Sequence, residues 1–348
     1  MTEVHKHKHR DHSHNHGHDH DHEHDHDHHH GGGIVGTIAA ALHLPGFGHD
    51  HDHGYTSMAQ DNAVRDNELG IRTVKLALLV LGITTVLQIV IYVASGSVAL
   101  LADTVHNLGD ALNSVPLWIA FVLARRAANQ RYTYGYGRAE DIAGLLIVVS
   151  IGFSAAYILW ESFQKLINPQ PLDNLGWVAA AALIGFVGNE IVAMMQLRVG
   201  RQIGSVAMVA DGQHARIDGL TSLAVLIAVV GAWLGFPIVD PIIGIVIGIA
   251  IVGITWSAIK AVWYRLMDAV DPQFIVRAEG LITEHPEIQA VHRLQMRWVG
   301  HRLHGEFVVG VGTEVSVEES HSLVEHIQHH LVHEFPNLGD VTVQVVPG

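Results

Sequence analysis

The segment VALLADTVHNLGDALNSVPLWIAFVLA (Val98–Ala124) is long and apolar enough to cross a membrane, yet it carries charged residues. A membrane helix needs about 20 mainly apolar residues, and an ionised side chain near the bilayer centre is so costly that it usually serves a function. The spacing of its DTVHNLGD stretch, Asp103–Asp110, recurs in DGQHARID at Asp211–Asp218, inside a second apolar segment. The repeat predicts two membrane helices with equivalent functional stripes.

Further apolar segments surround these two, in a chain of 348 residues of which 49% are hydrophobic. The predicted spans are Thr73–Ala94, Val98–Ala124, Ile142–Phe163, Leu175–Leu197, Ser205–Leu234 and Ile238–Trp263. Arginine is concentrated in the loops after the second and fourth spans, at Arg125, Arg126, Arg131, Arg138, Arg198 and Arg201. Because short cytoplasmic loops carry an excess of Lys and Arg, we predict a six-helix transmembrane domain over residues 65–266 with both termini in the cytoplasm.

The two ends of the chain differ in composition from its membrane part. Residues 1–64 hold most of the 29 histidines and are too polar to bury a core, so we predict a disordered cytoplasmic segment that concentrates metal ions. Residues 267–348 have the periodicity of helix, strand, strand, helix and strand, which predicts a cytoplasmic α+β domain with its helices on one sheet face. The chain has no Cys, which excludes disulfides and thiolate ligands, and its net charge of -14 with neutral His gives no indication of nucleic-acid binding.

The two stripes together predict a metal site. Residues three, four and seven apart share one helix face, and spans two and five run antiparallel in a six-span arrangement. Facing each other, they offer two imidazoles and two carboxylates, a four-coordinate set that suits Zn²⁺ or Co²⁺ better than Mg²⁺ or Ca²⁺. The alternative for these residues is a buried His-Asp hydrogen-bond network or a proton relay. The predicted ligands are His106, Asp110, His214 and Asp218.

Other polar residues of the spans are candidates for the ion pathway. We expect Asp103 toward the exterior and Asp211 toward the cytoplasm, with Asn113 extending the first stripe. Glu190 lies in an apolar run, where lining the cavity, receiving a proton and a structural hydrogen bond are open alternatives. Arg216, two residues from His214, is expected on the opposite helix side, with its guanidinium reaching the cytoplasmic interface.

The chain resembles the cation diffusion facilitators from about Gly70 to its end. The motifs that carry the resemblance are SVALLADTVHNLGD, YTYGYGRAED, VADGQHARIDGLTS, VDPIIG, HRLQMRWVGHRLHGE and SVEESH. The resemblance implies a homodimeric metal/proton antiporter of the bacterial inner membrane, with six transmembrane helices and a ferredoxin-like (metallochaperone-like) α+β cytoplasmic domain. It maps the family's transport site onto the same four residues, His106, Asp110, His214 and Asp218.

The resemblance also bears on the metal. Members that prefer manganese tend to have Asp where this chain has His, which favours Zn²⁺ or Co²⁺ and leaves Fe²⁺, Ni²⁺ and Cd²⁺ as alternatives. Relatives with a second site in the loop between spans two and three have a His where this chain has Tyr136, so we expect no metal there.

A metal site in the cytoplasmic domain is an open alternative. Relatives with zinc in this domain often have a His and an Asp in the last strand, where this chain has Gln344 and Val346. The site is therefore degraded at best, and its remaining candidates are His292, His301, His304 and His321. Four further histidines share one face of the last helix, and we interpret them as an exposed polar face because apolar residues supply a separate core stripe. They are His326, His329, His330 and His333.

Two other functional classes fit parts of the sequence. A membrane-anchored metal sensor or buffer that uses its His-rich termini is the main alternative, but it needs no ligands inside the membrane. An intramembrane zinc hydrolase is disfavoured because the chain has no HExxH motif, and four protein ligands leave no open position for a reactive water. We therefore predict a transporter rather than an enzyme.

Overall fold

The structure is a computed structural model that describes residues 54–95, 98–167, 174–236 and 238–348. Between residues 98 and 124 the backbone is described throughout, but the side chains of residues 98–103, 105, 106 and 110 are not. The first six helices of the described chain are α1 (Gly54–Ser95), α2 (Val98–Ala124), α3 (Arg138–Ile167), α4 (Leu175–Ile203), α5 (Val206–Trp233) and α6 (Val239–Leu266). Within the described residues, six helices are long and apolar enough to cross a membrane, as predicted.

Helix α1 begins much earlier than its predicted span. It runs unbroken from Gly54, so residues 54–64 are helical rather than disordered as expected, while residues 1–53 lie outside the described chain. Met58 and Ala59 pack against the core of the cytoplasmic domain, and the Arg302 guanidinium donates a hydrogen bond to the Ala59 carbonyl oxygen over 2.7 Å. Helical stability in proteins comes mainly from such tertiary packing, which the local sequence does not reveal.

Helices α4 and α5 lie against each other through small residues. A Cβ atom on Gly200 would lie 2.9 Å from the Val209 backbone nitrogen, and one on Gly212 would lie 3.0 Å from that of Leu197. Membrane helices pack closely where such residues let their backbones approach. The close contact holds the polar stripe of α5 inside the bundle.

The C-terminal part of the chain is an α+β domain, as predicted. It comprises α7 (Pro272–Thr283), β1 (Ile288–Val299), β2 (Arg302–Val311), α8 (Val317–Glu334) and β3 (Leu338–Pro347). The strands lie in the order β1-β2-β3, with β1 and β2 antiparallel and β2 and β3 parallel. Both helices pack into one core, to which they contribute Ala278, Ile282, Leu323, Ile327 and Leu331. A capping box of Ser316 and Glu319 fixes the start of α8.

Candidate metal centre

The α5 half of the predicted site lies inside the helix bundle. Asp211, His214 and Asp218 are 3%, 2% and 4% exposed, and His214 Nε2 lies 4.0 Å from Asp218 Oδ2. Positions three, four and seven apart on α5 thus share a buried face, as their spacing predicts. A small cavity is lined by these three residues and by Ser114, Asn189 and Gln196.

The α2 half is described only in part. His106 and Asp110 lie on α2, but their side chains, like that of Asp103, are outside the described residues. Among the side chains that are described, no three His, Asp or Glu residues form a group that could hold a metal ion. The four-residue site therefore stays a prediction, of which the structure describes the two α5 members.

Two hydrogen bonds join α2 to the stripe on α5. Asn113 Nδ2 lies 3.0 Å from His214 Nε2, and Ser114 Oγ donates to Asp211 Oδ2 over 2.6 Å. The Asn113 amide presents its nitrogen, which is a donor, to the ring. The neutral His214 ring therefore accepts this hydrogen bond through Nε2. The neutral imidazole offers a metal one ring lone pair, and that of His214, on Nε2, thus points toward α2.

Asp211 is held by two donors rather than open to water. Besides Ser114, Gln196 Nε2 donates to the same Asp211 oxygen over 2.5 Å. A buried carboxylate needs such partners. Sequence reasoning did not single out Gln196, although a Gln within an apolar span was the available signal. The expected role of Asp211 in an ion pathway stays a prediction.

Glu190 and Arg216 form an ion pair between α4 and α5, within the predicted spans. Arg216 Nη2 lies 2.6 Å from Glu190 Oε1, and the two side chains are 38% and 30% exposed. Arg216 thus has a partner on α4 that the sequence did not reveal, and its reach to the cytoplasmic interface stays a prediction. The physical reason for this pairing is that a charged side chain within a membrane span is unfavourable unless an opposite charge lies close enough to pair with it.

The four candidate histidines of the cytoplasmic domain have different neighbours. His301 Nδ1 contacts Glu140, His304 Nδ1 lies 3.3 Å from an oxygen of Asp340, and His321 Nε2 lies 3.4 Å from one of Glu325. His292 is exposed on β1. The described geometry therefore gives no support to a shared metal site made of these four residues.

The turn between β1 and β2 contacts the cytoplasmic ends of the membrane helices. The Arg265 guanidinium stacks 3.9 Å from the centre of the Trp298 ring and donates to the carbonyl oxygens of Gly300 (3.1 Å) and Gly204 (2.7 Å). The Gly300 nitrogen donates to Asp141 Oδ2 over 3.2 Å. The ends of α3 and α6 are thus fastened to this turn of the cytoplasmic domain, and Arg265 also joins the end of α6 to that of α4.

Comparisons with known proteins cover almost all of the described chain. Residues 74–267 match the family model of the cation efflux transmembrane domain, and residues 270–348 match that of the cation efflux protein cytoplasmic domain, whose short name marks it as a dimer-forming domain. A probable cation efflux system protein of Mycobacterium tuberculosis is 48% identical over 287 residues, which cover 82% of this chain and 86% of the relative.

More distant relatives match over similar lengths. The magnetosome protein MamB of Magnetospira sp. is 31% identical over 265 residues, covering 74% of this chain and 88% of that protein. A cation-efflux pump of Yersinia enterocolitica is 28% identical over 269 residues, covering 76% and 88%. Among solved structures, the C-terminal domain of MamM in a manganese form matches 22% of this chain and 98% of its own, at 21% identity and a TM-score of 0.21.

Proposed function

We propose that this chain, which belongs to the cation efflux family, the cation diffusion facilitators, exports divalent transition-metal ions from the cytoplasm in exchange for protons. Membership of the family makes it a membrane transporter and not an enzyme. The observation that carries the proposal is the buried stripe of α5, where His214 and Asp218 line a cavity together with Ser114 of α2. Six spans and a cytoplasmic C-terminal domain follow from the family.

The proposed transport site consists of two residues from each of two helices. An imidazole and a carboxylate from α5 and the same pair from α2 make a four-ligand set, for which Zn²⁺ is the first candidate and Co²⁺ the second. Ni²⁺, Fe²⁺ and Cd²⁺ are further candidates. The burial of His214 and Asp218 supports the proposal, because a buried His-Asp pair inside a membrane helix has few structural uses. The proposed ligands are His106, Asp110, His214 and Asp218.

Proton exchange follows from the chemistry of the ligands. A metal ion binds the neutral imidazole and the ionised carboxylate, so loading the site releases protons and reprotonation favours release of the metal. An inward proton gradient would then drive export. In the same proposal Asp103, Asp211, Asn113 and Glu190 guide ions or protons to and from the site.

We also propose an oligomeric state and a cellular membrane for the protein. The chain acts as a homodimer in the bacterial inner membrane, with both termini in the cytoplasm, in keeping with a dimer-forming cytoplasmic domain. A transmembrane domain of about residues 65–266 precedes the cytoplasmic domain of residues 267–348. The His-rich N-terminal segment buffers metal ions at the cytoplasmic mouth.

Metal flux into proteoliposomes that contain a pH-sensitive dye tests the proposal. Zn²⁺ or Co²⁺ flux coupled to proton movement is expected for the unaltered chain and is lost in His214→Ala and Asp218→Ala. The control is Gln213→Ala, which changes the neighbouring α5 residue and should retain flux. A chain that binds metal without any flux would instead be a membrane-anchored sensor or buffer. Unchanged, pH-coupled flux in His214→Ala would refute the proposed site.

A further inference from the structure

Two histidines in the last turns of α8 bring their ring nitrogens together at the surface of the cytoplasmic domain. His329 Nε2 and His333 Nε2 lie 3.2 Å apart, and the ring centroids are 4.5 Å apart. The residues are four positions apart on one helix, and both side chains are exposed. They are therefore accessible from the cytoplasm and already converge on one point.

This separation matches two nitrogen ligands of a single metal ion. Nitrogen atoms about 2.1 Å from one ion lie about 3.4 Å apart at a tetrahedral angle and about 3.0 Å apart at a right angle. Without a metal, the two nitrogens at this distance share one proton, which fixes one ring as the donor and the other as the acceptor. A metal ion would take the place of that proton, which moves to Nδ1 of the donor ring, so that the Nε2 lone pairs of both rings are free to bind the metal.

The charge around the pair also favours a cation. Helix α8 ends at Glu334, and the carboxyl end of a helix carries partial negative charge that attracts cations in its last turn. The Glu334 carboxylate is engaged by Arg277, at 2.5 Å, so its charge is compensated and it is not a ligand. His330, the intervening surface histidine, stacks on His285 with ring centroids 5.3 Å apart, which leaves His329 and His333 as the converging pair.

We propose that His329 and His333 form a cytoplasmic binding site for one divalent transition-metal ion, with water completing its coordination. Imidazole ligands favour Ni²⁺, Cu²⁺, Zn²⁺ and Co²⁺ over the hard cations Mg²⁺ and Ca²⁺. The site differs from the set His292, His301, His304 and His321, and from the centre in the membrane. It assigns a specific function to a face that the sequence alone identified only as polar.

Quenching of a fluorophore by Ni²⁺ tests the proposal at a defined place. The chain has no Cys, so Ser322→Cys, at an exposed position on α8, attaches the label at a single residue of the full-length protein. Helical rise places that residue about 13 Å along the axis from the midpoint of the pair. Saturable quenching by added Ni²⁺ is expected, and Zn²⁺, whose d shell is filled, should reverse it by competition.

Two double variants of equal composition supply the comparison. His329→Gln with His333→Gln should raise the Ni²⁺ concentration for half-quenching by at least about tenfold, because two linked ligands bind far more tightly than either alone. His326→Gln with His330→Gln removes a pair of the same spacing and should leave the value within about twofold. Both variants keep the same His-rich N-terminal segment, so quenching from that source is equal in the two.

The result is independent of transport, because neither variant alters a membrane span. Equal quenching curves for the two double variants would overturn the proposal. So would a larger loss in the variant that lacks His326 and His330. A failure of metal flux in the proteoliposome experiment would leave this binding comparison untouched, so the two proposals fail separately.

Discussion

Glu140 and His301 form a buried pair between the two domains, with Glu140 Oε2 2.6 Å from His301 Nδ1 and each side chain 2% exposed. Glu140 lies on α3, and His301 lies in the turn between β1 and β2 of the cytoplasmic domain. The His301 ring also contacts Phe121 of α2, at a centroid distance of 5.7 Å. A buried carboxylate is tolerated only where it is hydrogen-bonded or paired. The pair therefore fixes where the two domains meet.

Loss of the Glu140 carboxylate should weaken the contact between the two domains. Glu140→Ala leaves the His301 ring buried without its partner, which typically costs about 1 to 3 kcal/mol for a hydrogen-bonded buried group. We expect a lower thermal unfolding temperature in detergent and faster proteolysis between α6 and α7. Glu318→Ala, in the exposed first turn of α8, is the control, and equal behaviour of the two variants would contradict the proposed importance of the pair.

The ion pair of Glu190 and Arg216 should make the unfolding temperature depend on whether both charges or only one of them is present. Glu190→Gln or Arg216→Gln alone leaves one unpaired charge in the membrane, at a cost of about 2.5 to 3.5 kcal/mol on insertion scales. Each single variant should therefore unfold at a lower temperature than the unaltered chain. The double variant removes both charges and should recover most of the loss. If it were as unstable as the sum of the singles, the two residues would not interact as the 2.6 Å contact indicates.

Ser114 should affect the site through Asp211 rather than through the metal. Among the described side chains, Ser114 and Gln196 donate to the Asp211 carboxylate, and Ser114→Ala removes the first while leaving the second. Removing a partner of a buried charged group costs about 1 to 3 kcal/mol, so flux should fall several-fold while specific metal binding persists. Ser114→Thr keeps a hydroxyl and is the matched variant. Equal flux in both variants would show that the Asp211 contact has no role in transport.

His285 predicts a pH dependence for the cytoplasmic domain. Burial, followed by the positive charge of protonated His330, lowers the pKa of His285 below 6.5, with a smaller contribution from His326, while Glu287 and Glu284 act in the opposite direction. Because the folded state favours the neutral ring, its stabilising effect is complete above the unfolded pKa and is lost as pH falls from 6.5 through the folded pKa.

Unfolding measured between pH 8 and pH 5 checks this dependence. The stability of the unaltered chain should fall more steeply below pH 6.5 than that of His285→Gln, which cannot take up the proton. The control is His292→Gln, since His292 is exposed on β1, whereas His285 stacks on His330. Parallel pH profiles for the unaltered chain and His285→Gln would contradict the prediction.

The sequence predicts the parts of this protein that depend on local periodicity. Apolar runs located the membrane helices, and the spacing of Asp211, His214 and Asp218 predicted their common buried face, because helical geometry fixes which positions share a side. The partners of Arg216 and Glu140 lie in other elements of the chain and could not be predicted. The contact of Arg216 with Glu190 and that of His301 with Glu140 both join residues far apart in the chain.

The early start of α1 has the same explanation. Nothing in the local pattern around Ala59 marks a stable helix, and its support comes from the core of a domain more than 200 positions later in the sequence. Sequence periodicity detects a helix by its apolar stripe. At the start of α1 this stripe is short, because among the described side chains of this helix only Met58 and Ala59 pack against the core of the cytoplasmic domain. The end of a helix is therefore the feature that the sequence locates least well.

Helix α1 has a mechanical consequence because it is one unbroken rod of 42 residues, about 63 Å in length at the usual helical rise. One end lies in the membrane bundle and the other is fixed to the cytoplasmic domain at Ala59 and Arg302. A lever of that length turns a small tilt at one end into a displacement of several ångströms at the other. The first helix therefore cannot change its angle in the bilayer without either swinging the cytoplasmic domain or breaking its hold on that domain.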